Sequence, residues 1–364
     1  MAYEAALSTN EIFIASPIVE VDGQVNNMIQ TLMFAMDMTE SEQKLSSLEL
    51  AFFNTATIEG RGNDFAFEYP DNDLLSIGKP VKIWAGDHND PEEIFRGTIS
   101  GLEMVIDDME EPRLHVLAED SLQKARLHRQ TRLHGAGSIH SIVEPIATAL
   151  GLQTDISGMN QQVDAQLQFN ESYLAFIRRL LNRYDGDLQI AGDVLRIAPR
   201  SETRRNEVTL EQGSQLVSVR ILADLAHQAS SVTFAGWDVA AGRQISVRND
   251  AGADLGPGQG IMGAQLLRDA FDERSEHLSH AGVQNQAEAQ ALVNGCYSQR
   301  SRKFVSVEGV AEGNPRIRVG THLTLRGVGP RFENTYYVTR VRHHYDLSQG
   351  YRTQFHAECA FLGG

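Results

Sequence analysis

The sequence predicts an α+β protein, mainly β, in which one β-rich module is used twice. The first observation is a repeated pattern. Ile77-Gly78-Lys79-Pro80-Val81-Lys82-Ile83 leads to Phe95-Arg96-Gly97-Thr98-Ile99, and Val319-Gly320-Thr321-His322-Leu323-Thr324-Leu325 leads to Tyr337-Val338-Thr339-Arg340-Val341. Gly78 and Gly320, Phe95 and Tyr337, and Ile99 and Val341 are each 242 residues apart. A glycine turning into an alternating apolar run marks a half-buried strand. Second, both copies continue into another alternating run, Arg113-Leu114-His115-Val116-Leu117 and Arg352-Thr353-Gln354-Phe355-His356. Third, Ser46-Ser47-Leu48-Glu49-Leu50 matches Ser230-Ser231-Val232-Thr233-Phe234 in pattern. Leu48 precedes Gly78 by 30 residues and Val232 precedes Gly320 by 88, so the second copy is expected to hold an insertion of 58 residues. A separation this long is no solenoid period. It describes two similar small domains, and three such chains would present six of them.

The composition bounds the rest. A chain of 364 residues exceeds the usual single core. A hydrophobic share of 41% fits packed, soluble domains. A formal charge of −16 argues against a nucleic-acid surface, which needs basic patches. Met1-Ala2-Tyr3-Glu4 opens no basic, then apolar, leader, and no run approaches a membrane span. A protein folded in the cytoplasm, without a membrane anchor, is expected. Cys296 and Cys359 lack metal-ligand spacing and read as reduced, buried or half-buried thiols.

Taken in order, Ile12 to Ala118 reads as strands, including one from Met28 to Met36 and one from Leu48 to Phe53. Asn54 to Asp73 has loop chemistry, with Gly60, Gly62 and Pro70, and carries the aromatic cluster Phe65, Phe67 and Tyr69. That cluster is either a short strand covering the end of the module, the preferred reading, or a docking loop. Helical signals begin at Asp120. Ser138 is placed to cap a helix that runs to Leu150, with Gly151 just beyond it. A second helix follows Asn170 and runs to Tyr184, its stripe formed by Tyr173, Phe176, Ile177, Leu180, Leu181 and Tyr184. Gly192-Asp193 then reads as a tight hairpin between Asp187–Ile190 and Val194–Ile197. A further helix is expected from about Asn285 to Arg300. The chain divides as 1–119, the first β module; 120–212, a small α/β domain; 213–242 with 304–364, the second β module; and 243–303, the insertion.

Little of this carries chemistry. Gly258-Gln259-Gly260-Ile261-Met262-Gly263 matches the dinucleotide fingerprint, yet polar loop precedes it and no βαβ alternation surrounds it. A flexible loop is the better reading. His343 and His344 are adjacent, so on a strand they face opposite sides and cannot chelate one metal together. His277 and His280 could share a helical face, but no carboxylate or cysteine in the local sequence clearly completes a site. Asp107-Asp108 and Glu110-Glu111 sit in an apparent strand-connecting turn, where solvated charge is the plain reading. No nucleophile elbow, zinc-protease motif or phosphate loop occurs. No catalytic residue, metal or cofactor is expected, and Phe65, Phe67, Tyr69, His343 and His344 are the candidate interface residues. The rival readings are a soluble enzyme using the Gly258–Gly263 loop or a carboxylate pair, and a monomeric carbohydrate-binding β protein.

Residues 170–184, Asn-Glu-Ser-Tyr-Leu-Ala-Phe-Ile-Arg-Arg-Leu-Leu-Asn-Arg-Tyr, followed by a hairpin, resemble the central helix of baseplate hub proteins of the phage late control protein D family. Tyr336-Tyr337-Val338-Thr339-Arg340-Val341-Arg342-His343-His344-Tyr345 to Tyr351-Arg352-Thr353 resembles that family's closing strands. The likeness spans nearly the whole chain. It implies two similar antiparallel, tube-like β-barrels, a middle α/β domain and an insertion in the second barrel. It further implies a homotrimeric hub between a hexameric inner tube and a trimeric spike, among other baseplate proteins. The related spike proteins of type VI secretion fuse the hub to a further barrel and a needle. This sequence ends at Gly364, so the spike is expected to be a separate polypeptide.

Overall fold

The computed structural model describes residues 16–54, 56–57, 65–66, 74–87, 89–252, 255–279, 282–283 and 285–363. They fall into two compact units. The first gathers the described residues up to Asp120 with Val310–Ile317 and Val341–Gln354, and the second holds the remainder.

In the first unit, β1 (Ile18–Val21) and β2 (Gln24–Val25) make a tight hairpin through Asp22 and Gly23, both at positive φ. Helix α1 (Asn27–Leu32) follows, because the Asn26 side chain accepts the Met28 N–H and caps it. The expected strand from Met28 to Met36 is therefore split. Its first part is this helical turn, and β3 (Met33–Ser41) begins only afterwards. Next come β4 (Ser47–Phe53), β5 (Ala56–Thr57), β6 (Phe65–Ala66), β7 (Pro80–Gly86), β8 (Pro91–Asp107) and β9 (Glu110–Asp120). The sheet order is β3-β4-β9-β8-β7-β1-β2. Its register pairs Leu48 with Ala118, Leu50 with Val116 and Phe52 with Leu114. All six are buried, which is the period-2 pattern of a sheet with one face in the core.

The second unit opens with α2 (Gln123–Leu127), β10 (Arg129–His134), β11 (Gly137–Ser138), α3 (Ile139–Ala149), β12 (Gln153–Ile156), β13 (Gln162–Val163) and β14 (Gln166–Ser172). Ser138 caps α3 by accepting the Ser141 N–H at 3.1 Å, and Gly151 turns the chain at positive φ. Helix α4 (Tyr173–Arg183) buries Leu174, Phe176, Ile177, Leu180 and Leu181 on one stripe. It starts two residues later than a start at Glu171, because β14 runs on to Ser172, which then caps the helix. Strands β15 (Gly186–Ala191) and β16 (Val194–Pro199) form the expected hairpin around Gly192-Asp193. Then follow β17 (Glu207–Glu211), β18 (Leu216–Ala223), β19 (Ser231–Asp238), β20 (Arg243–Asn249), β21 (Ile261–Met262), α5 (Gly263–Phe271) and β22 (Ser275–Leu278). The chain closes with α6 (Gln286–Arg302), β23 (Val305–Glu312), β24 (His322–Arg326), β25 (Asn334–Asp346), β26 (Gly350–Cys359) and β27 (Phe361–Leu362).

Strands β18-β23-β26-β25-β24-β17 repeat the path β3-β4-β9-β8-β7-β1. One pairing differs in sense: β1 is antiparallel to β7, whereas β17 is parallel to β24. Gly78 and Gly320 stand at the same place, both at positive φ, donating N–H to Ile99 and Val338 respectively. The return N–H bonds also match, Ile99 to Lys79 and Val338 to Thr321. Two sequence expectations change here. Ile99 corresponds to Val338, three residues short of the expected Val341, because the strand arms from β24 into β25 are shorter than those from β7 into β8, by more than the longer turn between them makes up. Val232 does not correspond to Leu48. Strand β19 lies in a separate sheet, β20-β19-β22, and buries Val232 and Phe234 in a core shared with α6. Strand β23 takes the place of β4, so the inserted stretch begins soon after β18, ahead of the expected residue 243.

Candidate functional site

The candidate interface residues fall in different environments. Phe65 lies in β6, paired with Thr57 of β5. Phe67 and Tyr69 lie outside the described residues. His343 points inward. It is fully buried, with its Nδ1 2.7 Å from the Tyr351 hydroxyl and 3.3 Å from that of Thr353. A partner cannot reach it, because alternation along β25 turns it into the core. His344 faces the other way, as adjacency on a strand requires.

His344 belongs to a charged cluster on the first unit. Its Nδ1 lies 2.9 Å from Asp37 on β3 and its Nε2 lies 2.9 Å from Asp346. Arg342, two residues before it on the same face, also bonds Asp37, and that bond holds its guanidinium more firmly protonated. At the hairpin tip the Ser348 hydroxyl, and then the Gln349 N–H, hold the Asp346 carboxyl well below the usual carboxylate range. Asp37 and Arg342 were not singled out from sequence. They are 305 residues apart, and no local pattern links them.

The remaining motifs have structural uses. A Cβ at Gly260 would lie 1.5 Å from the Gly363 carbonyl oxygen, and one at Gly258 would lie 2.5 Å from Cys359 Sγ. The glycine loop thus lets the C-terminal segment approach, where β21 pairs with β27. His277 lies on β22, a strand and not a helix, with Nδ1 3.2 Å from the Thr233 hydroxyl. His280 lies outside the described residues. Asp107 closes β8, Asp108 lies in the turn that follows, and Glu110 and Glu111 open β9. Among the described residues no three His, Cys, Asp or Glu side chains gather closely enough to hold a metal ion, and no helix is long and apolar enough to cross a membrane. Burial pushes the Asp187 carboxyl up, against the opposing pull of Arg200. Arg200 is itself engaged, 2.7 Å from Glu358 and with its guanidinium 4.0 Å from the Tyr337 ring centroid. These are cross-links within a core.

The fold is that of phage tail proteins. The 43 kDa tail protein of prophage MuSo2 from Shewanella oneidensis is 12% identical, with a TM-score of 0.69 over 94% of this chain and 97% of that one. A tail protein from Neisseria meningitidis MC58 is 11% identical, with a TM-score of 0.64 over 94% and 96%. The E. coli c3393 protein, described as a component of the type VI secretion system, is 12% identical, with a TM-score of 0.58 over 94% and 76%. The expected likeness to baseplate hub proteins thus holds at the level of the fold, and the mainly β, α+β class with it. By sequence, the chain belongs to the family described as the Alg8 N-terminal domain, whose model matches residues 19–346. No curated protein matches it.

Proposed function

We propose that this chain is a structural hub of a contractile phage tail or related injection particle. It works as a homotrimer that adapts a separate trimeric spike to a hexameric inner tube. The reading is carried by one observation: the path β3-β4-β9-β8-β7-β1 recurs as β18-β23-β26-β25-β24-β17. Each path is taken as a small barrel. Three chains then offer six similar faces, which removes the mismatch between a three-fold and a six-fold partner. Heterologous contacts that complete a rotation close into a ring. The role is mechanical and needs no catalytic group. The stretch around Phe65, Phe67 and Tyr69 is a candidate contact with the tube or spike. The charge of −16 suits a lumen that does not trap acidic cargo.

The Alg8 N-terminal family description is associated with glycosyl transfer, a different activity. The hub reading is preferred because the tail-protein likeness covers 94% of the chain. The test is the symmetry of this chain in an assembled particle imaged by cryo-electron microscopy. Three copies in a ring at the tube–spike junction are expected. Six copies per ring, or a position elsewhere, would overturn the adaptor role. Saturable binding of a sugar nucleotide would favour the family description instead.

A further inference from the structure

The hairpins β8–β9 and β25–β26 carry equivalent hydrogen bonds at two levels, one mid-hairpin and one at the tip. Ser100 donates its hydroxyl to the Leu117 carbonyl at 3.3 Å, and Thr339 donates its hydroxyl to the His356 carbonyl at 3.3 Å. At the tips, Asp107 accepts the Met109 N–H at 3.0 Å and Asp346 accepts the Ser348 N–H at 2.7 Å. All four pairs, Ser100/Thr339, Leu117/His356, Asp107/Asp346 and Met109/Ser348, have the same separation. Glu103 therefore corresponds to Arg342, and Ile106 to Tyr345.

The two edge strands also match. Asp37 on β3 pairs with Glu49 on β4. On β18, the register in which Asp224 donates its N–H to the Phe304 carbonyl sets Arg220 opposite Glu308, and their side chains are 4.0 Å apart. Glu308 faces His356 as Glu49 faces Leu117. Arg220 therefore corresponds to Asp37.

The outcomes differ. The tip of β25–β26 lies against β3 in the first unit, where Arg342 binds Asp37 and Tyr345 is 8% exposed in the core. The tip of β8–β9 leaves Ile106 67% and Met109 91% exposed, and β18 ends its sheet order with Val217 54% and Leu222 47% exposed. We infer that the β8–β9 hairpin of one copy docks on the β18 edge of a second copy, with Glu103 set on Arg220. The charges are reversed relative to the contact within the chain. That reversal also rejects the wrong joints: β25–β26 on a second copy's β18 would set Arg342 on Arg220, and β8–β9 on β3 would set Glu103 on Asp37. An exposed edge strand is a standing site for strand addition, so a matched hairpin is its natural cover. The inference rests on the ring reading for the number of copies, and on the contact within the chain for its geometry.

The test is a short thiol-to-thiol cross-linker applied to the full chain carrying Glu103→Cys with Arg220→Cys, with the parent chain as control for Cys296 and Cys359. A denatured product of three chains is expected, with either single substitution remaining at the parent mass. Glu103→Cys with Asp37→Cys should also remain at one chain, while Asp37→Cys with Arg342→Cys should link internally without a change in mass. Arg220→Glu should weaken self-association at least tenfold, and Glu103→Arg in the same chain should restore it. No intermolecular link from the Glu103/Arg220 pair, or equal linking from the mismatched pair, overturns the seam. A chain that is trimeric by solution mass yet unlinked would sink the seam and leave the ring reading standing. A linked ladder running past three would do the reverse.

Discussion

Arg302, in the last turn of α6, grips Asp185, in the turn that leaves α4. Its Nη1 donates to Oδ2 at 2.7 Å, and Nη2 reaches Oδ1. Both side chains are largely covered, at 3% and 13% exposure. A bidentate pair is the strongest form of this contact. It ties α6 to the turn after α4 through two residues 117 apart in the sequence.

Breaking that pair should be costly, because Arg302 would be left buried with only Glu358, 3.8 Å away. Asp185→Asn is the clean probe, since asparagine tolerates the φ of +55 at this position. A loss of roughly 3–5 kcal/mol is expected in denaturant unfolding. A loss under about 1 kcal/mol would mean that Glu358 and relaxation compensate, and the pair does not hold α6 in place.

Leu180 is 0% exposed at the centre of the α4 stripe. Leu180→Ala should cost about 2–5 kcal/mol. Leu133→Ala, at a position 66% exposed on β10, should change stability by no more than about 0.5 kcal/mol. Equal effects at the two sites would contradict the assignment of the stripe to the core.

Stability should decline in alkali. Burial pushes the Cys359 thiol up to about 12, above its ordinary value of 9.0. Burial also raises Tyr184, helped by its hydrogen bond to Glu288, and Tyr336. Each group stays neutral in the folded chain while the unfolded chain ionises, so the unfolded state binds fewer protons and the slope of stability with pH is negative. The loss should start near pH 9 and grow towards pH 12. Cys359→Ala should flatten the part between those values. A midpoint of unfolding that does not move from pH 8 to about pH 11 would contradict this.

Gly260 has φ +124, and a side chain there would meet the Gly363 carbonyl. Gly260→Ala should therefore destabilise by about 1–3 kcal/mol through backbone strain and displacement of the last strand. It should leave nucleotide titrations of the parent and the variant alike. Saturable nucleotide binding by the parent, lost in the variant, would return the glycine loop to its dinucleotide reading.

The local pattern determined what short range can determine. Ser138 capping α3, the apolar stripe of α4 and the two-residue turn at Gly192-Asp193 depend on neighbours within a few residues, and all were legible. The repeat was legible through Gly78 and Gly320, because a glycine at positive φ entering an alternating run is written in residue type. Strand partnership was not. Ser231–Asp238 has the same alternation as Ser47–Phe53, and alternation says that one face is buried without saying against what. Only the packing of α6 over β19, and of β23 beside β26, decided that β23 and not β19 stands where β4 does. The candidate site shows the same division. His343 and His344 were correctly read as facing opposite ways, since period 2 is a backbone property. Which of them met the core, and that Arg342 would meet Asp37, were settled by tertiary structure, because a contact across 305 residues leaves no trace in local spacing.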